Sequence, residues 1–258
     1  MDLNLAGRTA LITGASKGIG LAVAQSLAEE GCAVHLAART QADLESARDR
    51  IVQAHGVEVT IHPTDLSVSA NVLALAEAAG DIDILVNNAG AIPGGDIAQI
   101  DEATWRAAWD LKVFGYVNLT RAVYERMKAR GKGAIVNVIG LAGERFDADY
   151  IAGSTGNAGL MGFTRALGGA SADHGVRVVG VNPGYIATDR MTTLLKRRAQ
   201  DSFGDQSRWR ELLKDLPMGR AGEPEEVAAV VTFLASDRAS FISGTIVTLD
   251  AGLSARAG

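Results

Sequence analysis

The chain has 258 residues, 47% of them hydrophobic, and a formal net charge of −5. That length buries one substantial core, and a mildly acidic balance with scattered Lys and Arg argues against a nucleic-acid partner or a basic membrane patch. Cys32 is the only cysteine, so an internal disulfide or cysteine-rich metal cluster is ruled out, and it reads as a small buried hydrophobe. No apolar run nears the roughly 18 residues needed to span a bilayer. Met1 to Leu5 has neither a basic region nor an apolar leader, so a cytoplasmic protein is expected.

Short apolar runs alternate with amphipathic stretches. Thr9 to Thr13 reads as a buried strand, and Gly18 to Glu30 as a helix stopped by Gly31. Ala33 to Ala38 is a second strand. Thr40, with Asp43 three residues on, caps a helix that runs to His55. Val57 to His62 alternates as a third strand, a helix follows from Ser67 to Gly80, and Asp83 to Val86 is the fourth strand. One long helix is predicted over Glu102 to Ala129, then a strand over Ala134 to Ile139. A helix over Gly153 to Asp173, a strand over Val176 to Val181, a helix opened by Pro224 and ending near Ser236, and a strand over Ile246 to Leu249 complete the series.

Near-continuous Val/Ile/Leu strands that alternate with helices predict a parallel sheet covered on both faces. The fold class is therefore α/β: a single doubly wound Rossmann domain over residues 1–258, with a seven-stranded parallel sheet. The charged stretch 187–215 breaks the rhythm and reads as a helical lid over the cleft.

Residues Thr13 to Gly20 read T-G-A-S-K-G-I-G, after a strand and opening a helix. In that context glycines let a pyrophosphate approach the backbone, and the helix N-terminus faces the anion. The end of the second strand carries Ala38 and Arg39 where an acid would accept the ribose hydroxyls of NAD. A neutral residue followed by Arg suits the 2′-phosphate of NADP, and Lys17 adds charge nearby, so NADP is expected ahead of NAD.

These motifs resemble the short-chain dehydrogenase/reductase family, in the branch whose chains are of this length. Its T-G-x-x-x-G-x-G is matched by Thr13, Gly14, Gly18 and Gly20, and its N-N-A-G by Asn87 to Gly90. Its adenine-side Asp is matched by Asp65, followed by Leu66, and its P-G-x-x-x-T by Pro183, Gly184 and Thr188. The resemblance runs from about Leu5 to Gly252. It implies a cofactor site of Thr13, Gly14, Ser16, Lys17, Gly18, Ile19, Gly20, Arg39, Asp65, Leu66, Asn88, Ala89, Gly90, Pro183, Gly184, Ile186 and Thr188. It also implies a homo-oligomer, tetramer or dimer, acting on a small-molecule carbonyl or alcohol.

The catalytic end departs from that pattern. The family uses an Asn, a Ser, a Tyr and a Lys. The overlay of Ile135 to Gly140 places Gly140 at the Ser. The family's usual interval from there, and a reading back from Gly162 to Leu167, both place Gly153 at the Tyr and Asn157 at the Lys. Trp109 to Lys112 overlays W-D-x-N and puts Lys112 at the Asn. Two residues are candidates for the missing acid. Lys112, on the long helix beside the cleft, would have a lowered pKa if partly buried, with Tyr116 on the same face. Tyr150, three residues before Gly153, would aim its ring into the room the glycines leave.

Glu144, Arg145, Asp147 and Asp149 read as a solvated loop, and Trp105 with Trp109 as packing. His35, His55, His62 and His174 lack metal spacing, so no metal is expected. Three functions stay open. The first is an NADP-dependent oxidoreductase with an atypical proton route, the second an NADP-binding sensor or assembly subunit without turnover, and the third a non-redox enzyme on the same scaffold.

Overall fold

A computed structural model describes residues 1–214 and 216–256. Asp215, the last residue of the expected lid, and residues 257–258 lie outside the described residues.

Seven strands form one parallel sheet in the order β3-β2-β1-β4-β5-β6-β7. They are β1 (Thr9–Thr13), β2 (Ala33–Ala38), β3 (Val59–Pro63), β4 (Ile84–Asn87), β5 (Gly133–Val138), β6 (Val176–Pro183) and β7 (Ile246–Leu249). The helices are α1 (Gly18–Glu29), α2 (Gln41–His55), α3 (Ser69–Ala79), α4 (Glu102–Trp109), α5 (Gly115–Arg130), α6 (Ile151–Ser171), α7 (Asp189–Phe203) and α8 (Pro224–Ala235). The single Rossmann-type α/β domain is the one the alternating runs predict.

Period-two side-chain alternation sorts each strand between two cores. Ala10 and Ile12 join Val23, Leu27, Leu44, Ile51, Val227 and Val231, so α1, α2 and α8 cover one face. Leu11 joins Val72, Leu75, Leu119, Val123 and Met127, so α3 and α5 cover the other. Each fully buried Leu, Ile or Val side chain stabilises the fold by about 1.5–3 kcal/mol. Burial on both faces is why the strands read as unbroken apolar runs.

Local details differ from the sequence reading. Strand β3 starts two residues late, at Val59. Thr40 holds the N-cap position of α2, yet its side chain makes no cap bond, so the Thr40–Asp43 pairing does not form. Helix α3 begins at Ser69 rather than Ser67, because Asp65 Oδ1 accepts from Ser67 N (3.0 Å) and Ser67 Oγ (2.8 Å) and holds that residue in a turn. The long helix over Glu102 to Ala129 is not one regular helix. A π-helical turn at Asp110–Phe114 separates α4 from α5, and Lys112 stands at its centre. Hydrophobic periodicity does not register one extra residue in a turn, which is why the sequence reads straight through it.

The chain moves outward from β1 to β3, then returns to place β4 on the other side of β1, with Ile12 opposite Val86. The turns after β1 and β4 therefore meet at the point where strand order reverses. Crevices at the carboxyl ends of parallel strands open there.

Candidate active site

At the switch point the two turns lock together. Thr13 Oγ1 accepts from the backbone N–H of Asn88 (2.9 Å) and Ala89 (3.0 Å). Asn88 Nδ2 donates back to Thr13 O (3.0 Å) and Gly14 O (3.3 Å). This close approach sets the residue types. A Cβ on Gly20 would lie 2.3 Å from Gly14 O, and Gly14 holds φ +65°. Lys17, extended and exposed, is the N-cap of α1 and gives no side-chain cap bond. The first N–H groups of that helix thus lack a side-chain acceptor, the condition under which a helix N-terminus takes an anion. Ser16, Gly18 and Ile19 are half-buried beside it, and the Thr188 methyl lies over Gly18.

Arg39 is exposed at the end of β2, directly after Ala38. Asp65, beyond β3, has its carboxyl held below the usual range by the Ser67 backbone hydrogen bond, with help from the Ser67 hydroxyl and the Arg39 charge. Leu66 is buried behind it. Across the crevice, β6 ends at Pro183 opposite Leu249, and Gly184 N donates to Leu249 O at 2.8 Å. A Cβ on Gly184 would press against Asp250 at 2.9 Å. Ile186 is buried, and Thr188 caps α7 by accepting from Met191 N at 3.2 Å.

The far end of the crevice is built around Lys112. The π turn directs its side chain inward along Gly90, where a Cβ would lie 2.8 Å from Lys112 Cδ. Lys112 is 9% exposed, and Nζ donates to Ile139 O at 2.5 Å. Burial, and then the charge of Arg190, push its pKa down to about 7. Tyr116 does not reach the crevice as a titrating group. It is fully buried, its hydroxyl donates to Val138 O at 2.9 Å, and burial raises its pKa.

Gly140 and Gly153 are spaces that other side chains use. Gly140 holds φ +127°, and a Cβ there would lie 3.1 Å from Asn157 Nδ2. A Cβ on Gly153 would lie 2.0 Å from Cε1 of Tyr150 and 2.2 Å from its Cζ. The Tyr150 ring therefore packs on Gly153, and its hydroxyl accepts from Arg190 Nη2 at 3.1 Å. Asn157 is buried. Its Nδ2 makes a long bond to Gly140 O (3.4 Å), and its Oδ1 has no partner among the described residues.

Helix α7 closes over this end through arginines that the sequence reading did not single out. Arg190 reaches Gly90 O and Ile92 O, Arg197 reaches Gly94 O and Gln99, and Arg198 reaches Tyr185 and Asp147. The i, i+7, i+8 spacing, which places all three on one helix face, was the available signal. The remaining expectations fall outside this cluster. Trp105 and Trp109 pack with ring centroids 6.0 Å apart, and Trp109 donates to Ala152 O. His35 and His62 stack, with Nδ1 and Nε2 2.9 Å apart, and burial lowers both pKa values. No group of three metal-ligating side chains occurs among the described residues, and no described helix is long and apolar enough to cross a membrane. A cavity of about 400 Å³ is lined by Tyr185, Met218, Arg220, Asp250 and Leu253.

A parallel sheet with two interlocked turns at its switch point defines a Rossmann-type α/β protein. The short chain dehydrogenase family profile matches residues 8–199. Galactitol 2-dehydrogenase (L-tagatose-forming) from Cereibacter sphaeroides is 36% identical over 253 residues, covering 96% of this chain and 95% of that protein. The structure of L-sorbose reductase from Gluconobacter frateurii, in complex with NADPH and L-sorbose, superposes with a TM-score of 0.92 at 31% identity over 100% of both chains. NAD⁺-bound xylitol dehydrogenase superposes with a TM-score of 0.90 at 26% identity, covering 96% of this chain and 100% of that one. The chain belongs to the short-chain dehydrogenase family and is an oxidoreductase of that NAD(P)-dependent kind.

Proposed function

We propose that the chain is an NADP-dependent oxidoreductase that acts on a carbonyl or alcohol through an atypical proton route. One observation carries this reading: a buried lysine amine, at a π turn beside the crevice, occupies the end where Gly140, Gly153 and Asn157 replace the family's Ser, Tyr and Lys. The residues present fit a dinucleotide. The α1 N-terminus offers N–H groups without a side-chain cap, Arg39 stands where a 2′-phosphate would lie, and Asn157 Oδ1 is buried without a partner among the described residues.

Thr13, Gly14, Ser16, Lys17, Gly18, Ile19 and Gly20 would cradle the pyrophosphate, and Arg39 the 2′-phosphate. Asp65, Leu66, Asn88, Ala89 and Gly90 would line the adenosine side. Pro183, Gly184, Ile186 and Thr188 would hold the nicotinamide end. When bound, the reduced cofactor supplies the hydride.

Lys112 does the proton work. With its pKa near 7, the amine divides about evenly between its two forms at neutral pH, which suits a group that must give a proton and regain it. Its Ile139 bond holds one proton acceptor on the protein side and leaves the other N–H protons for the alkoxide oxygen. Tyr150 walls the substrate and presents its hydroxyl to it. An ammonium is a weaker oxyanion anchor than a paired Ser and Tyr, so activated carbonyls, quinone-like or dicarbonyl compounds, suit the site best. The stretch 187–215 acts as the lid. A cytoplasmic homo-oligomer, dimer or tetramer, accords with the family resemblance.

The competing reading is an NADP-binding protein without turnover, and Gly153 at the tyrosine position favours it. NADPH oxidation across a broad carbonyl panel separates the two. Turnover that falls in Lys112→Met supports the enzyme, whereas NADPH binding with no oxidation in any reaction supports the sensor. A panel in which Lys112→Met turns over normally would remove Lys112 as donor.

A further inference from the structure

Arg190 projects from the first turn of α7 to the mouth of the crevice. Nη1 donates to Gly90 O at 2.8 Å, and Nη2 donates to Ile92 O at 2.8 Å and to the Tyr150 hydroxyl at 3.1 Å. All three acceptors are neutral. Its neighbours on the same helix face are served differently. Arg198 pairs with Asp147, and Arg197 lies 4.0 Å from Asp201. No ion pair with Arg190 occurs among the described residues, and the nearby acids Asp149 and Asp189 make none with it.

Lys112 is a second cation in the same cleft, and its own described partner is the Ile139 carbonyl. Arg190 acts on the Lys112 amine through its charge, and no carboxylate enters that balance. Among the described residues the crevice thus holds two basic groups without an ion pair, with the more exposed one at its entrance.

We propose that Arg190 and the Tyr150 hydroxyl form an anion anchor, and that the substrate is a carbonyl compound bearing a carboxylate. This rests on the oxidoreductase reading of the site. A guanidinium N–H bond to a carboxylate is charge-assisted and about twice as strong as one to a neutral carbonyl. With both Nη2 protons held by Ile92 O and the Tyr150 hydroxyl, one remaining N–H of Arg190 meets the anion beside the Tyr150 O–H. The Gly90 and Ile92 contacts aim the fork in advance, so little side-chain freedom is lost on binding. Because Tyr150 accepts from Arg190, its own proton is left for the same anion. The reacting carbonyl then lies deeper, toward Lys112.

The test is calorimetry on full-length protein loaded with NADP⁺, which permits binding without reduction. The probes are acetoacetate and its neutral isostere acetoacetamide. NADP⁺ titration comes first, on the wild type and on each variant. The wild type should bind acetoacetate about ten- to hundredfold more tightly than acetoacetamide, the range of a charge-assisted hydrogen bond. Arg190→Met should abolish that preference with NADP⁺ affinity unchanged, and Arg190→Lys should restore part of it. Arg197→Gln, which unties α7 from the same loop at Gly94, should keep it. The anchor is overturned if the wild type shows no preference, if Arg190→Met retains it, or if Arg197→Gln loses it equally. A collapse of NADP⁺ affinity in Arg190→Met would overturn it too, by assigning Arg190 to the cofactor. Failure of the wild type to bind NADP⁺ would instead sink the oxidoreductase reading, and the anchor with it.

Discussion

The turn after β1 and the turn after β5 are the same structural event. Each strand runs into a glycine at positive φ, Gly14 at +65° and Gly140 at +127°, at the carboxyl edge of the sheet. Their surroundings differ. Around Gly14 and Gly20 the limiting neighbours include backbone atoms and a bonded amide, Gly14 O at 2.3 Å and Asn88 Nδ2 at 2.5 Å from a Cβ on Gly20. Around Gly140 and Gly153 the neighbours are side chains, Asn157 and the Tyr150 ring. Backbone cannot move aside, whereas a side chain can change rotamer. The first turn is fixed by main-chain geometry and the second by what fills it, so the second is the one that side-chain replacement can reshape.

Substitutions should separate the two ends. The largest effect belongs to Gly20→Ala. Its methyl meets Gly14 O, so NADPH binding by fluorescence titration should be lost altogether, and thermal stability should fall. Retained affinity would contradict the main-chain argument.

Lys112→Met comes next. Turnover should drop about 10²- to 10⁴-fold, the usual worth of a positioned proton donor, with NADPH affinity little changed. In the wild type, reduction should slow as pH rises through about 7, since the proposed donor is the ammonium form. Stability should move the other way. The folded-state pKa lies below the unfolded value near 10.5, so burying this amine costs the fold most below about pH 7 and progressively less as pH rises toward 10.5. Lys112→Met should therefore be more stable than the wild type by about 2 kcal/mol at pH 6, a gain that fades in alkaline buffer. Denaturant melts at the two pH values check this, and a variant destabilised at pH 6 would refute it.

Arg39→Ala should weaken NADPH about ten- to hundredfold and leave NADH unaffected, the loss expected for a charged hydrogen bond to the 2′-phosphate. Equal losses for both nucleotides would assign Arg39 a structural role. The smallest effect is expected from Gly153→Ala. Its methyl displaces the Tyr150 ring, which should lower turnover by no more than about tenfold and stability by about 1–3 kcal/mol, the usual cost of overpacking. Nucleotide affinity should be unchanged.

How far the sequence could be read follows the same division. The T-G-A-S-K-G-I-G loop announced its conformation because glycine is the residue that tolerates both positive φ and backbone approach. Asn88 was legible through its motif, although its bonds to Thr13 and Gly14 carbonyls were not. At the other end the family overlay set Gly140, Gly153 and Asn157 at the expected catalytic positions and offered Lys112 and Tyr150 as candidate acids. It did not show the π turn that faces Lys112 inward, the packing of Tyr150 on Gly153, or Arg190 at the entrance. The Arg190 bonds join residues 40 and 100 positions apart, and the Lys112 amine is held by Ile139 O, 27 positions on.

By itself the sequence determined the layered parallel sheet, its family and the place of its glycine-rich turn, because alternation, glycine placement and strand composition act over a few neighbouring residues. Tertiary structure alone decided that a lysine amine would be buried beside the crevice and that an arginine with no carboxylate partner among the described residues would face its mouth. Burial and charge at one point are sums over everything packed around it, and no local stretch of chain contains that sum.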